Sequence, residues 1–113
     1  MNETFGQLLK NIRRGKGVSQ RDLAEKVGID FSYISKIEND RLPPPAADTI
    51  IRISKILGVT EEVLLSNSKK ISSDMTNTIS SSMSAMKFMN EVKAMGLSEH
   101  EWEHLTQSLK KLR

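Results

Sequence analysis

The chain is 113 residues long, carries 17 basic against 14 acidic side chains for a formal net charge of +3, and contains no cysteine. Disulfides and thiolate metal sites are thereby excluded, and this length holds one small domain plus an appendage. The charge is too mildly basic for a surface that coats nucleic acid indiscriminately. No apolar run approaches a membrane span, and the first residues lack the basic start and apolar run of a signal peptide. The expected setting is cytoplasmic, with no membrane partner.

Thr4 and Gln7 offer a capping box for a first helix over residues 5 to about 14, lined on one face by Phe5, Leu8, Leu9 and Ile12. Gly15 and Gly17 end it. Ser19, with Asp22 three residues on, starts a second helix, and Asp30 is a good N-cap for a third. Between these two, Ala24 is small enough for a close helix crossing and Gly28 tolerates the positive φ of a tight turn. Leu23, Val27, Ile29, Ile34 and Ile37 form an apolar underside. The pattern predicts a helix-turn-helix whose second helix keeps its opposite face free.

Pro43, Pro44 and Pro45 exclude helix and stiffen the next connection. A fourth helix follows with Ile50, Ile53 and Leu57, closing at Gly58. Thr60 caps a short fifth one bearing Val63 and Leu64.

After Leu65 the composition changes. Residues 66 to 84 are rich in Ser, Thr and Asn, which favour a linker or a marginal helix. Met75, Ile79, Met83, Met86 and Met89 nevertheless fall on one helical stripe. Beyond Gly96, Ser98 and Glu101 form a capping box for a last helix with Trp102, Leu105, Leu109 and Leu112 on its apolar side. The tail is predicted to be two amphipathic helices hinged near Gly96.

On a helical wheel of residues 31 to 38, Ile34 and Ile37 point to the core while Ser32, Ser35 and Lys36 point away, flanked by Phe31 and Tyr33. A helix in the major groove presents its N-terminal half to base edges. Lys36 suits guanine acceptors, and Ser32 or Ser35 can donate or accept. Phe31 suits a thymine methyl, with an edge-of-core aromatic as the equal alternative, and Tyr33 is better placed for phosphate. Arg13, Arg14, Lys16, Arg21, Lys36 and Arg41 cluster around this helix.

Gln20, Ala24, Gly28, Ile34 and Glu38 resemble the pattern of the XRE, or Cro/phage-repressor-like, helix-turn-helix family, and the resemblance spans roughly residues 4 to 66. It implies an all-α, five-helix, lambda-repressor-like DNA-binding domain over residues 1–66; the helical tail over 67–113, read from its own periodicity, lies outside the resemblance. It further implies a transcription regulator, expected to be a repressor, that binds double-stranded DNA as a homodimer on an inverted repeat, without a cofactor. Gln20, Asn39 and Arg41 match the family's phosphate contacts, joined by Arg21 and Tyr33. Arg13 and Glu38 resemble its internal ion pair. Ala46 departs from the pattern, where relatives often carry a helix-capping residue.

The stripes Met75, Ile79, Met83, Met86, Met89 and Trp102, Leu105, Leu109, Leu112 need burial, either on the chain's own domain or in a dimer or partner interface. Five of the six methionines lie between residues 75 and 95, a composition suited to an adaptable protein contact. A protein effector on the tail, or an antitoxin that neutralises a partner and regulates its own operon, is the competing class.

His100-Glu101-Trp102-Glu103-His104 satisfies H-E-x-x-H, a zinc-peptidase helix signature. Nine residues follow His104, none of them His, Asp, Glu or Cys, so a third ligand has to come from upstream, for example Glu91. No substrate-binding sheet is predicted. A solvated, charged helix face is the expectation, with no metal and no enzyme.

Overall fold

A computed structural model describes residues 3–113, and within them the chain is all-helical, with eight helices and no strand. The first five, α1 (Phe5–Gly15), α2 (Gln20–Val27), α3 (Phe31–Glu38), α4 (Ala47–Leu57) and α5 (Glu61–Ser68), build one compact unit running to Met75. α1 packs on α3 and α5, α2 on α3 and α4, and α4 on α5. At their centre Leu9, Leu23, Ile34, Ile37, Ile50, Ile53 and Leu64 are fully buried. Each contributes about 1.5–3 kcal/mol of transfer free energy on burial.

Local chemistry sets the ends. The Thr4 hydroxyl accepts from the Gln7 backbone N–H at 3.1 Å, and the Gln7 side chain returns a bond to the Thr4 N–H at 2.9 Å. Ser19 caps α2 through the Asp22 N–H at 3.0 Å. Gly28 closes α2 in the left-handed region, φ 83°. The Asp30 carboxylate then receives both the backbone N–H and the hydroxyl of Ser32. Ala46 makes no side-chain cap bond, and neither does Thr60, in contrast to its expected role. Val63 is 41 % exposed, so Leu64 alone of that expected pair enters the core.

One close approach was not visible in the apolar pattern. Gly6 lies against the end of α3, where an added Cβ would sit inside van der Waals contact of the Ile37 carbonyl oxygen and 2.6 Å from an Asp40 carboxylate oxygen. Asp40 itself adopts φ 60° and accepts a bond from the Thr4 hydroxyl at 3.0 Å. This ties the start of α1 to the loop leaving α3.

The carboxy-terminal part differs from expectation in number of helices. Three are present: α6 (Ser73–Ser80), α7 (Met83–Met95) and α8 (Glu99–Lys110). α5 runs two residues beyond the expected boundary at 66, and the two compact units divide between Met75 and Thr76. The Met stripe is therefore not carried by one helix. Met75 and Ile79 lie on α6, whereas Met83, Met86 and Met89 lie on α7. The break falls at Ser81–Ser82, where the Ser82 hydroxyl accepts from the Ala85 N–H at 3.1 Å and starts a new helix. Serine side chains compete for backbone donors in this way, so a serine run tends to divide a helix rather than extend it. The hinge at Gly96 is present, with φ 61°.

α6 begins with Ser73 held by Asp48 of α4, whose carboxylate accepts from the Ser73 hydroxyl at 2.6 Å and from its N–H at 3.3 Å. Those bonds hold the Asp48 carboxyl below the usual carboxylate range. In the second unit Val92 is buried, but Met83, Met86, Trp102, Leu105, Leu109 and Leu112 remain exposed. No helix among the described residues is long and apolar enough to cross a membrane.

Candidate nucleic-acid interface

α3 is anchored from below and open above. Ile34 and Ile37 are buried, and Glu38 at its last turn is 3 % exposed. A buried carboxylate needs a partner, and Arg13 of α1 supplies two donors, Nε at 2.7 Å and Nη2 at 2.9 Å. The remaining guanidinium nitrogen, Nη1, donates to the Val18 carbonyl at 2.8 Å. The Glu38 hydrogen bond and charge raise the Arg13 pKa against the opposing effect of burial.

Gln20 also joins this network, its amide nitrogen donating to Glu38 at 2.9 Å. An amide NH2 has two hydrogens, so the same group that braces α2 on α3 retains one donor for an external acceptor. The half-buried Tyr33 packs against the core rather than standing clear on the flank.

On the open face, Phe31, Ser32 and Lys36 are exposed and Ser35 is half-buried. The Ser32 hydroxyl spends its proton on Asp30 and is left as an acceptor. Ser35 accepts a long 3.5 Å bond from the Asn39 amide, which leaves its own proton available. Lys36 makes no side-chain ion pair among the described residues. Arg41 is exposed in the loop after α3, and its backbone N–H is tied to the Lys36 carbonyl at 2.8 Å. Arg21 of α2 lies over the Phe31 ring, with its guanidinium carbon 4.5 Å from the ring centroid.

A cleft of about 500 Å³ opens between the three helices, lined in part by Lys10, Arg14, Gln20, Arg21, Phe31 and Asn39. Ser19, the N-cap of α2, lines it as well. Lys10, Arg14 and Arg21, three cations without an ion pair among the described residues, around one polar recess suit an anion. Lys10 stands outside the basic cluster read from the sequence, and Arg14 belongs to it. Their signal was available, since residues 10 and 14 are one helical turn apart on the solvent side of α1.

The H-E-x-x-H residues lie in the second unit. His100 and His104 line a cavity of about 450 Å³ with Phe88, Val92, Met95 and Glu91, the upstream candidate for a third ligand. No group of three His, Cys, Asp or Glu side chains suited to a metal ion is gathered among the described residues. Glu101 accepts the Ser98 N–H at 3.0 Å while Ser98 accepts the Glu101 N–H at 3.2 Å. These bonds hold its carboxyl below the usual range, as a helix cap.

The sequence matches the family model described as "Helix-turn-helix domain" over residues 6–70. The chain is 38 % identical over 61 residues to the HTH-type transcriptional regulator SinR of Bacillus subtilis (strain 168), covering 54 % of this chain. It spans about half of that relative, 55 % of its length. With the HTH-type transcriptional regulator ImmR of the same strain it shares 32 % identity over 98 residues, 78 % of this chain and 76 % of ImmR. Among solved structures, SinR, the master regulator for biofilm formation, in complex with DNA matches with TM-score 0.52 at 37 % identity, over 55 % of this chain and 98 % of that one. A complex of SinR with SinI protein matches over 97 % of this chain and 100 % of that one, with TM-score 0.52 and 26 % identity. The chain belongs to the helix-turn-helix family, among the XRE, Cro-like transcriptional regulators.

Proposed function

We propose that this protein is a sequence-specific, DNA-binding transcriptional repressor that acts as a homodimer on an inverted-repeat operator. The observation that carries the reading is the open polar face of α3 beside the basic cleft, with the helix anchored through Glu38 and Arg13. Phe31, Ser32, Ser35 and Lys36 read base edges. Gln20, Arg21, Asn39 and Arg41, with Lys10 and Arg14, take the phosphates that set register, and Tyr33 lies at the margin of that set. SinR solved with DNA supports the assignment by likeness of fold and sequence.

Two α3 helices on a symmetric site lie about one DNA turn apart, roughly 34 Å. Tail residues such as Met86, Trp102, Leu105 and Leu109, exposed in a single chain, supply apolar area for the dimer contact. Selection of random duplexes at near-physiological salt tests the function. An enriched inverted repeat supports a dimeric reader; a lone half-site removes the symmetric dimer, and no enrichment removes sequence reading.

A second reading is a protein effector or toxin partner docked on the tail, with DNA binding serving autoregulation. It is favoured by the whole-length likeness to SinR in its complex with SinI. A pull-down in which the wild-type chain and a Leu105→Glu variant recover the same proteins would remove it.

A further inference from the structure

We infer that Arg21 is the positioning residue for Phe31, and that the stacked pair reads the C5-methyl of one pyrimidine in each half-site, a deepening that rests on the DNA-reading function above. Phe31 is the first residue of α3, directly after its Asp30 cap. Side chains in a first turn lean toward the helix N-terminus, the end that enters the major groove in this class of docking. Phe31 is 36 % exposed and is not among the residues packed on the hydrophobic core. Arg21 reaches over it from α2, with its guanidinium carbon 4.5 Å from the ring centroid.

That distance lies within the range of cation–π attraction. Stacking covers one ring face, and the 36 % of the residue that stays exposed is the surface a groove can meet. Phenylalanine has no donor or acceptor, so it can discriminate only by apolar contact. In the major groove the apolar group on an unmodified base is the thymine methyl. The C5-methyl of 5-methylcytosine has the same chemistry, so the pair accepts that base as well.

Stacking does not consume the guanidinium's hydrogen bonds, since its N–H groups project in its own plane. Arg21 also lines the basic cleft. One side chain thus links a phosphate contact to the orientation of the base-reading ring, and an error in register is felt at both.

The test uses the full chain and its selected duplex. Each thymine is replaced in turn by deoxyuridine, which removes the methyl and nothing else. One position per half-site is expected to lose about three- to fivefold in affinity, the scale of one apolar carbon buried. Phe31→Ala brings that ratio to one. Arg21→Lys keeps the dependence of affinity on salt, because the charge remains, but lowers the methyl ratio below about twofold because an ammonium does not stack as a plane. Both positions are exposed, so neither change disturbs the core.

Binding that is indifferent to deoxyuridine at every position overturns the inference while leaving DNA reading intact. An unchanged methyl ratio in Arg21→Lys assigns Arg21 to phosphate alone and overturns its positioning role. Failure to bind any duplex removes the function and the inference together.

Discussion

Glu38 at the end of α3 receives both Nε and Nη2 of Arg13 from α1, at 2.7 and 2.9 Å, with the Glu38 side chain fully shielded from solvent. The reading helix is thereby fixed to the first helix by a bidentate ion pair, and Gln20 extends the connection to α2. Removal of one member leaves the other charged and buried. Arg13→Ala or Glu38→Ala should therefore each cost about 3–5 kcal/mol. Chemical denaturation of the full chain measures this, and a loss below 1 kcal/mol would show that the pair is not a structural anchor.

Close packing rather than turn conformation calls for glycine at position 6, because it lies where α1 meets the Ile37 carbonyl. Gly6→Ala should lower stability by about 1–3 kcal/mol, although alanine is the better helix former. An increased thermal midpoint for this variant would contradict the close approach.

Lys36 and Arg41 are linked through the backbone, yet they should behave differently on DNA. Lys36→Ala should relax preference at one or two base pairs. Arg41→Ala should weaken binding on all sequences and reduce the salt slope by about one. Titrations on operator and scrambled duplexes at several salt concentrations separate the two, and equal losses on both duplexes would reject the division of roles.

The α8 cap is sensitive to acid. Because the Ser98 bonds lower the folded-state pKa of Glu101, its stabilising contribution is complete above the ordinary carboxylate range. That contribution is lost as pH falls through the lowered value. Amide signals at the start of α8 should report fraying on acidification in the wild type. Glu101→Gln should show no such transition at these amides, and identical pH profiles for the two proteins would count against the cap.

Trp102 is 40 % exposed in the single chain and lies on the apolar side of α8. If the tail supplies the dimer contact, its emission should shift to shorter wavelength as concentration rises through the dimerisation range. Leu105→Glu should abolish the shift and sediment as a monomer. A Leu105→Glu protein that remains dimeric would move the interface elsewhere.

Much of the molecule can be read along the chain because its deciding interactions are short. The Thr4–Gln7 and Ser98–Glu101 boxes join residues three apart, and Gly28 needs only its own backbone to close α2. Ile34 and Ile37 declare the inner face of α3 by spacing alone. The tail was less legible. Its Met periodicity was continuous in sequence, but Ser82 capped a new helix locally and divided the stripe.

The amino-acid sequence by itself determined the helices of the first unit, the turn between α2 and α3, and which side of α3 stays open. Those features follow from caps, glycines and helical periodicity, interactions that act within about one turn. Only the tertiary structure decided the pairing of Gln20 with Glu38, the place of Gly6 beneath Ile37, the gathering of Lys10 and Arg14 with Arg21, and the stacking of Arg21 on Phe31. These partners lie on different helices, and packing of the apolar faces is what brings their side chains within reach.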